Sequence, residues 1–474
     1  MREQVVRVDD VFVVYRDDNT FALTVADAGQ FHAGLNGLVA RRNGAESGSV
    51  VVKLDDTGLM HFMSQSMADS MTESMTSGEA LVKSLINHGV DTVFGLPGVQ
   101  TYALFDALHR HQDKLHYVGS RHEQGAAYMA FGYAKSTGRV GVYTVVPGPG
   151  FLNTTAALCS AYATNSPVLC ITGQIPSAYI GSGAGLLHEL PDQLAVIRLL
   201  TKWGARIDKP SQVPSLMDEA FRQLTSGRQR PVALEIPWDV LLAKGDVSVP
   251  PPTASPLGGP RNGGSVNGSA PAIDARALDE AVALIRGARR PMIMVGSGAM
   301  DAGAAVLELA QRIQAPVVAF RSGRGIVSAD SPYSLTCAEG YRWWEKTDLL
   351  IGIGSRLELQ YFRWPTRPPD MKLLRIDIDP VELGRLRGQA GILADARTAT
   401  AALNDALKRV GVNARSIEQD LRDIKQTVQQ EIQEVQPQMS YLQAIRDVLP
   451  RDGFFVEEIS QVGFASYFGF PVYE

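Results

Sequence analysis

The sequence predicts an α/β protein built from two doubly wound parallel-sheet domains plus the start of a third. Two observations predict it. From about Thr76, short and nearly continuous apolar runs, "VDTVFG", "RVGVYTVV", "PVLCIT" and "RPVALEIPWD", alternate with helical patterns. Strands apolar on both faces belong to parallel sheets covered by helices on both sides. After a Pro/Gly-rich interruption the same alternation resumes in "RRPMIMVGSGAM", "APVVAF", "TDLLIGIGSRL" and "KLLRIDIDP".

In chain order, residues 1–75 set β-prone runs ("DDVFVVYR", "SVVVKLDD") between polar turns and end in the linker-like "MSQSMADSMTESMTSGEA". They read as either a small β appendage or an over-extended reading frame. Residues 76–244 form the first domain, opening on "TSGEALVKSLINHG", a Ser/Thr cap, helical apolar spacing and a Gly stop. Residues 245–272 hold six Pro and six Gly among 28 positions, a composition too poor in apolar side chains to order itself, and read as a linker. Residues 273–410 form the second domain. In 411–474 a polar helix with Ile417, Leu421, Ile424, Val428 and Ile432 in register precedes "MSYLQAIRDVLPRDGFFVEEISQVG", the start of a third α/β unit.

The 474 residues, 45% apolar and 20% charged, can bury substantial cores. A formal net charge of −5 with dispersed lysines and arginines gives no footprint for nucleic acid. No apolar stretch is long enough to span a bilayer and the N-terminus does not read as a signal peptide, so the expected setting is cytoplasmic. Cys159, Cys170 and Cys337 lack metal-ligand spacing and are expected as buried, reduced thiols.

One carboxylate stands out. Glu123 heads "RHEQGAAYMAFGYA", a run too apolar for a solvated surface. Taken alone, it is a helix N-terminal charge favoured by the macrodipole, worth about 0.3–1 kcal/mol. Its setting suggests more, because strand-to-helix junctions of open parallel sheets are where ligands bind. Two further junctions carry Gly-rich turns: "FGLPGVQ", with Gly95, Pro97 and Gly98, and "VVPGPGFLN", with Gly148, Pro149, Gly150 and Asn153. Each turn alone is accounted for by chain reversal; together they place exposed backbone around one carboxylate.

These residues resemble the thiamine-diphosphate-dependent enzymes of the acetolactate synthase and 2-oxoacid decarboxylase superfamily. "VFGLPG", "RHEQGAAYMAFGYA", "GPGFLNTTAAL" and "PVLCITGQIPSAYIG" follow the order and spacing of that family's pyrimidine-binding domain. The resemblance continues over 275–400 as the central domain and over 437–474 as the beginning of the diphosphate-binding domain. It implies that Glu123 contacts the aminopyrimidine ring nitrogen and shares a proton with it in a desolvated cleft. The neighbouring His122 is given no chemistry. Gln174 and His188 are substrate-side candidates: "IGSGAGLLHELPDQ", residues 180–193, has His188-Glu189 where relatives of the acetolactate synthase type have Phe-Gln-Glu.

The implied activity is thiamine-diphosphate-dependent 2-oxoacid decarboxylation with carboligation. The alternatives are a simple decarboxylase or C–C lyase, and a non-catalytic subunit that assembles with a complete chain. The family's magnesium and diphosphate signature, Gly-Asp-Gly followed by Asn-Asn, occurs nowhere in the chain. No residue here is therefore assigned to metal. Mg²⁺ ligands are expected from a missing domain or another chain, and a homo-oligomer or partner chain is expected to supply the diphosphate-binding domain. "VGSGAM" and "GIGSRLELQYF" correspond to turns that lie near FAD in flavin-bearing relatives, which makes FAD a possible second cofactor.

Overall fold

A computed structural model describes residues 72–250, 273–358, 363–364 and 367–473, together with the backbone of four short N-terminal strands. The linker residues 251–272 and most of 1–71 lie outside the described residues. The chain divides into two units, one of 1–75 with 245–250 and one of 76–244 with 251–474.

In the first unit, β1 (Gln4–Val8), β2 (Val11–Tyr15), β3 (Phe21–Val25) and β4 (Ser49–Val50) form an antiparallel sheet in sequence order. A further two-stranded sheet pairs β5 (Glu73–Thr76) with β12 (Lys244–Val247). Ordered strand thus extends a few residues into the stretch read as linker.

The second unit contains two six-stranded parallel sheets. The first comprises β6 (Thr92–Gly95), β7 (His116–Gly119), β8 (Gly141–Val145), β9 (Val168–Gln174), β10 (Trp203–Arg206) and β11 (Val232–Pro237), in the order β10-β11-β9-β8-β6-β7. Strands β8, β9 and β11 are buried along their whole length, which is why their sequences run apolar without alternation. The opening helix Ser77–Asn87 is capped as its sequence predicts, Thr76 accepting from the Glu79 amide at 3.1 Å. Helix Glu123–Thr137 presents Ala126, Ala127, Ala130 and Ala134 to β8 and the helix Thr155–Ala163. The contact is so close that a Cβ on Gly141 would collide with the Ala130 carbonyl oxygen. Gly141→Ala is expected to cost about 1–3 kcal/mol, as overpacking of a dense core does, read as a lowered midpoint in urea unfolding.

The second sheet comprises β13 (Pro291–Val295), β14 (Val317–Ala319), β15 (Ser334–Leu335), β16 (Leu349–Ile353), β17 (Lys372–Asp377) and β18 (Ala390–Leu393), ordered β15-β14-β13-β16-β17-β18. Its core is continuous from Ile293 and Ile351 in the strands to Trp343, Trp344 and Leu403 in the covering helices.

Beyond it, helix Glu418–Ile432 buries Leu421, Val428 and Ile432, the face read from its spacing. Helices Gln438–Val448 and Gln461–Gly469 share a small core of Ile432, Met439, Leu442, Ala465 and Phe470. The segment "GFFVEEI" lies in the stretch read as the start of a third α/β unit. It carries strand-like alternation, Phe455 stacking on Phe470 while Phe454 and Val456 face solvent, yet it pairs with no described strand. A strand is stabilised by its neighbour's hydrogen bonds, and none is offered here.

Cys170 and Cys337 are buried, and burial pushes both thiols up to about 12, which keeps them protonated. Cys159 corrects the expectation for the three thiols: it sits on the outer face of helix Thr155–Ala163 and is exposed.

Candidate cofactor site

Strand order fixes where this site lies. The chain leaves β6 to form β7 on one side, then returns to place β8 on the other. The connections after β6 and β8 therefore diverge and open a crevice at the carboxyl ends of these strands, the position at which doubly wound sheets bind ligands. The turn after β6 contains Pro97 and Gly98; the turn after β8 contains Gly148, Pro149 and Gly150. Val146 side-chain atoms occupy the places that a Cβ on Gly98 or Gly150 would need, so the two turns close on one valine.

Glu123 follows β7 through Ser120–His122 and begins its helix. His122 is the helix cap, its Nδ1 accepting from the Gln124 amide at 3.2 Å. The Glu123 carboxylate is half-buried and turns toward the β8 turn. Asn153 Nδ2 donates to Glu123 Oε2 at 2.9 Å, and Oε1 is 3.6 Å from where a Cβ of Gly150 would stand. Oε1 accepts no hydrogen bond and the carboxylate has no cationic partner among the described residues. A carboxylate held by one neutral donor and otherwise open can accept a ligand N–H or exchange a proton with it.

The β8 turn is rigidly seated. Gly148 adopts φ +59° and ψ −121°, a conformation open to glycine alone, and a Cβ there would lie 2.5 Å from the His188 carbonyl oxygen. Pro149 starts the short helix Pro149–Leu152, where its missing N–H costs nothing. Its next residue, Asn153, is thereby aimed at Glu123. Gly95 ends β6 and its carbonyl accepts from Tyr117 Oη at 3.0 Å and from the Ser120 amide at 2.9 Å. This ties the β6 turn to the segment leading into Glu123.

The structure thus brings Glu123, Asn153 and the glycine turns together. His188 reaches them through its backbone: it packs on Gly148 in a left-handed conformation, φ +72°, and its Nδ1 is buried without a partner. Gln174 is 2% exposed, with Nε2 donating to Glu235 Oε2 at 3.1 Å and Oε1 accepting from the Ile175 amide at 2.8 Å. Its side chain is committed to the interior. Among the described residues, no three His, Cys, Asp or Glu side chains converge as a metal site.

Two family models match the chain. One described as "Thiamine pyrophosphate enzyme, N-terminal TPP binding domain" matches residues 75–196, and one described as "Thiamine pyrophosphate enzyme, central domain" matches residues 278–403. A Pseudomonas aeruginosa protein named "Probable 2-ketoarginine decarboxylase" is 35% identical over 83% of this chain and 69% of its own length. The chain belongs to the thiamine pyrophosphate enzyme family. An acetolactate synthase from Arthrospira platensis is 34% identical over 70% of this chain and 58% of its own length. The Escherichia coli acetolactate synthase isozyme 1 large subunit is 30% identical over 69% and 56% respectively. This member of the family therefore spans little more than half the length of the acetolactate synthases it matches.

Sequence reading missed two residues of this region. Gln193 and Glu235 are 1% and 0% exposed and carry a hydrogen-bond network behind the β8 turn. Glu235 had a signal, an acidic residue inside the apolar strand "VALEIP"; Gln193, at the end of a glycine-rich loop, had none.

Proposed function

We propose that this protein contributes the pyrimidine-binding half of a thiamine-diphosphate-dependent enzyme that decarboxylates a 2-oxoacid and passes the remaining acyl unit to an acceptor, as an acetolactate synthase does. The observation that carries the proposal is the Glu123 carboxylate, open at Oε1 beside two glycine turns at the sheet's switch point. The donor set fits the aminopyrimidine end of the cofactor, which is neutral and offers ring nitrogens and an amine. Glu123 would hold the ring nitrogen and exchange a proton with it, Asn153 would fix the carboxylate's orientation, and the Gly95–Gly98 and Gly148–Gly150 turns would let the ring approach the backbone. When bound, thiamine diphosphate supplies a carbon nucleophile and an electron sink for loss of carbon dioxide. His188 is proposed to line the substrate side.

The magnesium and diphosphate ligands are proposed to come from a diphosphate-binding domain, either a further domain of this protein or one on another chain, because Glu123, Asn153 and the glycine turns offer no phosphate-binding cation and no metal cluster is found among the described residues. A homo-oligomer or a partner chain fits that requirement. No helix among the described residues is long and apolar enough to cross a membrane; a cytoplasmic setting is part of the proposal.

The FAD alternative concerns a second crevice, at the carboxyl ends of β13, β16 and β17. It is a cavity of about 200 Å³ lined by Ser297, Gly298, Gly354 and Asp377 among others, below the ~300–1,000 Å³ of ligand pockets. Arg228 sits on this lining, with ion-pair contacts to Asp377, Asp379 and Glu382 at 3.8, 3.3 and 3.5 Å. Burial raises the Asp377 carboxyl despite two arginines beside it. No step is assigned to a flavin dinucleotide.

The second reading, a simple decarboxylase, is favoured by the greater coverage of the 2-ketoarginine decarboxylase relative, 83% of this chain. Product analysis separates the two. With the diphosphate-binding domain, Mg²⁺ and cofactor present, the protein is expected to release carbon dioxide from a 2-oxoacid. Pyruvate yielding acetolactate supports carboligation, whereas 2-oxo-5-guanidinopentanoate yielding only the aldehyde supports the decarboxylase. Absence of cofactor-dependent carbon dioxide release from every 2-oxoacid tried would leave the non-catalytic subunit.

A further inference from the structure

We infer that Gln193, braced by the buried carboxylate of Glu235, is a positioning residue for Glu123. The inference rests on the cofactor reading for what Glu123 does, but its geometry is independent of that reading. Gln193 is the first residue of the helix Gln193–Leu200, directly after the loop that carries His188. Its side-chain amide uses both hydrogens and its oxygen. Oε1 accepts the Gly148 N–H at 2.8 Å, and Nε2 donates to the Gly173 carbonyl at 3.0 Å and to Glu235 Oε2 at 2.9 Å. Glu235 is held in turn by Arg206, whose Nε donates to Oε1 at 2.6 Å, and by Gln174.

This network admits one amide orientation. A flipped amide would set NH₂ against the Gly148 N–H and its oxygen against both a carbonyl and a carboxylate. The oriented amide therefore transmits the position of a buried, charge-neutralised pair in β10 and β11 to a single backbone N–H in the turn after β8. That turn leads within five residues to Asn153, the only described donor to Glu123. The same glycine is the seat of the His188 carbonyl, so Gln193 also fixes how the substrate-side loop meets the turn. Gln193 touches neither the open carboxylate oxygen nor the crevice. Its effect on the reaction is through Gly148, Asn153 and Glu123.

The test compares Gln193→Met, which keeps the side chain's length without its hydrogen bonds, with the parent. In the 474-residue chain, the Gly148 amide of the variant is expected to exchange hydrogen at least tenfold faster while the β11 amides keep their protection. In the assembled holoenzyme, kcat is expected to fall about tenfold or more with KM for the 2-oxoacid within twofold. Unchanged exchange at Gly148, or fast exchange with unchanged kcat, would overturn the inference. If Gln193→Met does not fold, Gln193→Glu replaces it: it keeps an acceptor for Gly148 but sets a second carboxyl group against Glu235, and the same two readings are expected. Should the parent holoenzyme show no cofactor-dependent turnover, the functional reading has failed on its own. The crystal structure of the variant then decides this inference by whether the Asn153–Glu123 hydrogen bond persists.

Discussion

Replacing Glu123 with Gln in the assembled enzyme is expected to leave folding intact and to cut turnover by about a hundredfold or more, the scale on which loss of a positioned acid–base group acts. Folding should survive because the carboxylate makes a single hydrogen bond, from Asn153, and no ion pair among the described residues. The amide can still accept from Asn153 but cannot take and return the ring proton. Far-UV circular dichroism and the unfolding midpoint check the first half, and single-turnover carbon dioxide release checks the second. A variant that keeps parental turnover would remove Glu123 from the chemistry.

Gly148→Ala is expected to be the most damaging single-methyl change in the site. It forces alanine into φ +59°, ψ −121° and sets its Cβ 2.5 Å from the His188 carbonyl oxygen, so no rotamer offers relief. Strained backbone of this kind costs about 1–3 kcal/mol, and overpacking against fixed backbone adds a similar amount. Denaturant unfolding should show the loss directly. Because the turn must shift to accommodate the methyl group, Asn153 and Glu123 are expected to separate, and cofactor affinity should fall more than the stability change alone predicts.

The two sheets were legible because parallel strands buried on both faces leave an unbroken apolar signature. "PVLCIT" and "KLLRIDIDP" became β9 and β17 with only their ends in question. The candidate site was legible through glycine: a turn that must admit another backbone or a positive φ restricts its residues strongly enough to be read locally. Interior polar contacts were not legible. Gln174 looks in sequence like any polar residue at a strand end, and only the register of β9 against β11, which brings Gly173 and Gln174 beside Ile236 and Pro237, shows that its amide meets Glu235. Gln193 lies 45 residues from Gly148 in sequence, and a hydrogen bond between them has no periodicity to announce it. The segment 453–458 shows the converse: its alternation is strand-like, but pairing is a property of two segments and the sequence pattern describes one.

The account's central claim is that the crevice between β6 and β8 holds the aminopyrimidine of thiamine diphosphate against Glu123. The most direct measurement is a crystal structure of the protein with a diphosphate-binding domain, its own or another chain's, Mg²⁺ and thiamine diphosphate. The account predicts an aminopyrimidine ring nitrogen about 2.6–3.2 Å from Glu123 Oε1, with the ring against the Gly95–Gly98 and Gly148–Gly150 turns. A cofactor bound elsewhere, with Glu123 left facing solvent, would contradict it.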